Sequence, residues 1–294
     1  MNIRILKIFA LLYSFTISLG NAQNEDEVQV VLLAGQSNMV GHGNYDELSA
    51  SVKDRIEKVA SRVLVTDFRN RPKPLSEVDG KQTEKYPFSK HFGPELFMGL
   101  TLAEKYPDHQ FLMIKTATGG TSLHGAWNPD WSQEKANISE KGEVRKKLQL
   151  YAKHIDNSKV HLKRLLTEGK KYKIMGIGWL QGENDAGKPI AANNYKVNLQ
   201  NLISSYRKEF GIADLPFIIG QINVPPRKYA EGPEQVRTAM LEVAKADKKV
   251  AIVTTKPDKP WTDYPKHPDN VHYNAEGQKK LGIAFGEKLI NLMD

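Results

Sequence analysis

The chain has 294 residues, 40% of them hydrophobic, enough to bury a large core without covalent staples. It contains no cysteine, which excludes disulfides, thiolate metal sites, cysteine nucleophiles and a lipoprotein anchor. Its 42 basic and 34 acidic residues give a formal charge of +8, but the signs are interspersed, and without an arginine-rich stripe carrying aromatics no nucleic-acid partner is expected.

Residues 1–22 read as an export signal. Arg4 and Lys7 supply positive charge, Ile8 to Leu19 an apolar stretch, and Gly20-Asn21-Ala22 a small-residue cleavage site. The apolar stretch falls short of the ~20 residues that a membrane span needs, and no later segment is long and apolar enough to cross. The expectation is a single mature domain over residues 23–294, secreted or periplasmic, and bacterial, since an exported chain without disulfides suits that setting.

Strands are predicted at Val28–Leu33, Val63–Phe68, Phe111–Lys115, Ile174–Leu180, Phe217–Ile222 and Val250–Thr254, from short apolar and β-branched runs. Helices are predicted at Pro94–Tyr106, which opens on proline, and at Val144–Glu168, Asn194–Phe210, Pro233–Ala246 and Ala275–Met293. This alternation predicts an α/β fold, a parallel sheet covered on both faces, with function at the carboxyl ends of its strands. Two long loops, Arg69 to Phe92 and Thr118 to Glu140, have the length of binding elements or lids.

The first strand runs into Gly35-Gln36-Ser37-Asn38-Met39, where a tight polar turn lifts a hydroxyl off a strand end and leaves backbone N–H groups free. Serine needs a base, and His272 in Asp269-Asn270-Val271-His272 offers one, with an acid three residues earlier to orient it. Gly119-Gly120-Thr121-Ser122 follows another strand, where glycine lets backbone N–H groups approach a substrate oxygen. Gln181-Gly182-Glu183-Asn184-Asp185 ends a fourth, although Asn and Asp at such places also serve as helix caps. Each block alone is ambiguous; four at successive strand ends form a site.

With Gly93-Pro94-Glu95, these blocks resemble, in order, the SGNH-type (GDSL-like) hydrolases, in the branch of acetylxylan esterases and sialate O-acetylesterases. The resemblance implies a three-layer α/β/α sandwich with a central parallel sheet of about five strands. It also implies hydrolysis of O-acetyl groups on carbohydrate, without metal or cofactor. Ser37 would be the nucleophile, His272 the general base and Asp269 its orienting acid, with Glu183 the rival acid or a substrate-positioning group. The N–H groups of Ser37 and Gly120 would line an oxyanion hole, with Gln181 or Asn184 supplying a third donor.

Trp127, Trp131 and His124, beyond the glycine turn, are candidates for contact with sugar, with core or lid packing an equal alternative for each tryptophan. His42 could support the site from behind, while His91 and His267 are expected on the surface. A metal-dependent hydrolase would need three or four ligands at ligand-like spacing, and no H-x-H or H-E-x-x-H pair occurs. A non-catalytic carbohydrate-binding protein retaining the fold is opposed by the presence of serine, histidine and acid together. Acetylated plant polysaccharide of the acetylxylan kind is the first substrate expected, and acetylated sialic acid, which the basic charge suits, the alternative.

Overall fold

A computed structural model describes residues 27–67, 70–226 and 228–293. The expected export signal, residues 1–22, and Phe68 at the end of the second predicted strand lie outside them.

The principal sheet contains β1 (Glu27–Gly35), β2 (Val63–Asp67), β3 (Lys73–Pro74), β4 (Gln110–Ala117), β5 (Lys171–Leu180), β6 (Phe217–Gly220) and β7 (Val250–Val253). Their order is β7-β6-β5-β1-β4-β2-β3. Six strands run parallel, and β3 pairs antiparallel with β2 at the edge. The sheet therefore has seven strands rather than about five. All six predicted runs are present, and the seventh is a two-residue edge ending in Pro74, which an edge tolerates because one side needs no donor. A second sheet joins Gly43–Asn44, Val78–Asp79 and Lys90–Phe92.

Side chains alternate across the sheet, so each strand feeds two cores. Val28, Val30, Leu32 and Ala34 of β1 pack in one cluster with α3 (Leu150–Thr167), α4 (Tyr195–Phe210) and α5 (Gly232–Ala246). Val31 and Leu33 pack in the other with α1 (Ala50–Ala60), α2 (Pro94–Lys105) and α6 (Ala275–Met293). The result is a three-layer α/β/α sandwich.

Two helical expectations change. The predicted Val144–Glu168 helix is divided into Glu143–Lys146 and α3, because the Leu150 N–H leaves the helical ladder and donates to Ala126 O (2.6 Å). Helix α1 was not predicted: it buries only Ile56 and Val59 along a charged sequence, and Ser49 caps it by accepting from Val52 N.

From β1 the chain crosses through α1 to β2, returns through α2 to β4, then passes through α3 to β5 on the far side of β1. The connections diverge at the carboxyl ends of β1, β4 and β5, where such sheets open a crevice. There Gly35 lets β1 turn against β5: Gln36 N donates to Leu180 O (3.1 Å), and a Cβ on Gly35 would stand 2.2 Å from that oxygen. Gly35→Ala is therefore expected to destabilise the fold by about 2 kcal/mol or more. Denaturant unfolding measures this, and an unchanged midpoint would contradict the packing described.

Candidate active site

Ser37 opens a one-turn helix, Ser37–Val40, directly above β1. Neighbouring Asn38 is buried and ties this turn to a loop more than 230 residues away. Its Nδ2 donates to Glu183 Oε1 (2.7 Å) and Val271 O (3.2 Å), and its Oδ1 accepts from Tyr273 N (3.2 Å). Gly93-Pro94-Glu95 braces the same turn from the side. Glu95 accepts from Gly93 N and pairs with Lys115, whose ammonium also donates to Val40 O (3.0 Å).

This scaffolding brings His272 to Ser37. A carboxylate only accepts, so the Asp269 contact assigns the proton to Nδ1, which donates to Asp269 Oδ2 at 2.7 Å. Nε2 is left to accept from the Ser37 hydroxyl at 2.9 Å. Asp269 Oδ1 takes the backbone N–H groups of Val271 and His272, both at 2.9 Å, so the acid and the imidazole are fixed within one tight loop. Burial opposes ionisation of Asp269. Hydrogen bonds from Lys85, His272 and the two backbone groups outweigh it and hold the carboxyl well below the usual carboxylate range.

Glu183 is buried beside this chain but bonds to Asn38, not to His272. Its Oε1 helps position the serine turn, while Oε2 has no hydrogen-bond partner among the described residues.

The Gly119-Gly120 turn faces the serine. A Cβ on Gly119 would lie 3.5 Å from Ser37 Cβ, and Gly120 sits at φ +69°, a left-handed conformation that favours glycine. Two buried carboxylates hold the following segment: Asp185 accepts from Leu123 N and His124 N, and Glu140 from Ser122 N and Ala126 N. Burial pushes the Asp185 carboxyl up to about 6, against the opposing hydrogen bonds from Gln181, Leu123 and His124.

The side-chain donors expected for the oxyanion hole are directed elsewhere. Gln181 is fully buried, and its amide donates to Asp185 Oδ2 (2.6 Å), Thr121 O (2.9 Å) and Gln36 Oε1 (3.2 Å). Asn184 lines the cavity, but its Nδ2 donates to Ser139 O (3.1 Å). Gln36 was not singled out from the sequence. Its Oε1 accepts from Asn184 N, a group that can only donate, so Nε2 faces the other way. That nitrogen has no partner among the described residues, in a side chain that lines the cavity.

Gln36, Ser37, Gly119, Gly120, Glu183 and His272, with Arg145, bound a cavity of about 280 Å³. Arg145 lies on the Glu143–Lys146 helix and donates from Nε to Gly119 O (3.0 Å). The same peptide carries the Gly120 N–H, so the guanidinium polarises that donor at the cavity wall.

The expected sugar contacts are not in this cavity. Trp127 is wholly buried, edge-on to Trp179 with ring centroids 5.2 Å apart, and packs within the core. His124 is buried on Asn198 and Asp185, and burial lowers its affinity for a proton. Trp131 is half-buried outside the cavity lining.

A ring cluster backs the imidazole instead. His42 stacks on Tyr86 at 4.5 Å and meets His272 edge-on at 4.6 Å. Burial, followed by the proximity of His272, lowers the His42 pKa to about 3, so it packs there as a neutral ring. His267 is partly buried: its Nε2 bonds to His42 O (2.8 Å) and its ring meets Tyr86 edge-on. Among the described residues no group of three His, Cys, Asp or Glu could hold a metal ion.

An open parallel sheet with a linked serine, histidine and carboxylate at its carboxyl rim defines the class, an ester hydrolase of the SGNH type. The chain belongs to the carbohydrate esterases of the sialic acid-specific acetylesterase family, whose model matches residues 27–291. It is thus a carbohydrate acetylesterase. Its fold is similar to that of a protein from Arabidopsis thaliana (TM-score 0.66, 22% identity, 90% of this chain and 98% of that one). It is also similar to NanS (TM-score 0.64, 15% identity, 91% and 98% covered). A carbohydrate acetylesterase from Xanthomonas citri gives a TM-score of 0.58 at 16% identity, over 90% of this chain and 56% of that one. At these identities the structural likenesses bear on the fold alone. No curated protein matches by sequence.

Proposed function

We propose that the chain is an exported esterase that removes O-acetyl groups from sugars through Ser37, His272 and Asp269. The observation that carries this reading is the unbroken hydrogen-bond chain from Asp269 Oδ2 through the imidazole to Ser37 Oγ. Ser37 Oγ attacks the acetyl carbonyl as His272 Nε2 takes its proton, and the imidazolium is stabilised by Asp269. The tetrahedral oxyanion rests on the N–H groups of Ser37 and Gly120 and on Gln36 Nε2, each donor contributing about 3 kcal/mol. His272 then gives its proton to the departing sugar oxygen, leaving acetyl-Ser37. Water, deprotonated by His272, releases acetate and restores the serine. Export is supported by the charged and apolar character of residues 1–22. Among the described residues no helix is long and apolar enough to cross a membrane.

For the sugar, the cavity favours an anionic ring of the sialic acid kind. Arg145 brings a guanidinium to the cavity wall, and only part of it is engaged, by the carbonyls of Gly119 and Lys141. A carboxylate beside it gains a charge-assisted hydrogen bond that neutral xylan does not make. The family's specificity agrees with this reading. Acetylated plant polysaccharide, the first expectation from the sequence, forms the neutral arm of the test.

Acetate release from acetylated sialosides and acetylated xylan gives the ratio of kcat/KM for the two. Because Arg145 also supports Gly120, Arg145→Ala slows both reactions, so the ratio is the informative quantity. It is expected to fall about tenfold in disfavour of the sialoside. An unmoved ratio rules out the anionic-sugar reading without touching the catalytic one.

A further inference from the structure

We propose that Lys85 is a positioning residue, reaching from a loop outside the main sheet to the triad acid and extending the reaction to lower pH. This rests on the reading of Ser37, His272 and Asp269 given above. Three donors converge on Asp269 Oδ2: the Lys85 ammonium at 2.6 Å, His272 Nδ1 at 2.7 Å and the Tyr86 hydroxyl at 3.2 Å. Lys85 and Tyr86 lie between two strands of the small sheet, Val78–Asp79 and Lys90–Phe92. Tyr86 is buried, its backbone closes a turn with Thr83, and its ring stacks on His42, so the residue beside Lys85 is anchored.

The charges around the pair set the sign. Asp269 stabilises the imidazolium of His272, and a cation on the far side of the carboxylate draws off part of that stabilisation. From the loop of Asp269 itself, Lys266 also faces the carboxylate, but its ammonium is engaged by the carbonyls of Asn223 and Asn270. Glu183, at the end of β5, and Arg145 face the cavity from the other side. The His42 ring is held neutral, and His91 and His267 complete the cluster. Of the lysines and arginines in this surround, Lys85 is the one with an ion pair to Asp269 among the described residues. With Lys85 in place, the negative charge on Asp269 Oδ2 is shared between the ammonium and the ring instead of being directed to the ring alone. Removing the charge strengthens the imidazolium, so the acid limb of the activity profile moves upward in pH.

The test is the pH dependence of kcat/KM on a small activated acetyl ester for wild type, Lys85→Met, Lys85→Gln and Lys85→Arg. Met and Gln are expected to shift the acid limb to higher pH by about half a unit, the scale for one half-exposed charge. Arg should preserve the wild-type limb. Uniform loss of activity with an unmoved limb would make Lys85 a purely structural clamp and overturn the proposal. A wild-type limb in Lys85→Gln would overturn it too, since Gln keeps a donor and loses the charge. If Lys85→Met does not fold, the Gln and Arg variants decide the matter. Activity surviving in Ser37→Ala would refute the triad instead, so the two failures are distinguishable.

Discussion

Ser37→Ala is expected to lower kcat for acetyl ester hydrolysis by roughly a million-fold while leaving the protein folded. The hydroxyl is half-buried, and its hydrogen bond runs to His272. Alanine thus removes the nucleophile and little packing. The N–H groups of Ser37 and Gly120 remain, so residual catalysis comes from oxyanion stabilisation and binding alone. Initial-rate acetate release measures this, and an organophosphate should label the wild type at Ser37 but not the variant. Wild-type turnover by the alanine protein would end the acyl-serine mechanism.

Asp269→Asn is expected to reduce kcat by about 10,000-fold. The isosteric amide can still accept from the backbone of Val271 and His272, so the loop survives. Its NH2 group, however, faces His272 Nδ1 in place of an oxygen and favours the wrong tautomer. Glu183→Gln should stay within about tenfold of wild type, because the amide oxygen can keep the Asn38 contact. The pair therefore separates two carboxylates that sequence alone leaves in competition. Equal losses in both variants would reopen the assignment of the acid.

The layers of this fold were legible because each parallel strand, buried on both faces, is written as an uninterrupted apolar run. The contact between Asp269 and His272 was legible for a local reason, since three residues of one loop suffice to bring a carboxylate to a ring. Helix α1 escaped because its two buried residues are lost among Lys53, Asp54, Arg55, Glu57 and Lys58. Trp127 was ambiguous because a tryptophan in a long loop can be a sugar platform or a core side chain. Only the packing of Trp179 against it decides. The inward turn of the Gln181 amide depends on Asp185, a buried acceptor, and the orientation of Gln36 on Asn184 N, neither of which sequence spacing reveals. Lys85 and Tyr86 had no local signature at all. Their relevance depends on how the long loop returns to the sheet, 183 residues from Asp269 for Tyr86.

The tie that Asn38 makes between the first turn and the last loop also orders events in time. A nascent chain that has displayed Ser37 still has no proton acceptor for it. More than 230 further residues must emerge from the ribosome, and α6 must dock, before the hydroxyl meets its ring. On that topology the serine turn and its ring can meet only once the first strand and the loop before α6 have been brought to one rim of the sheet.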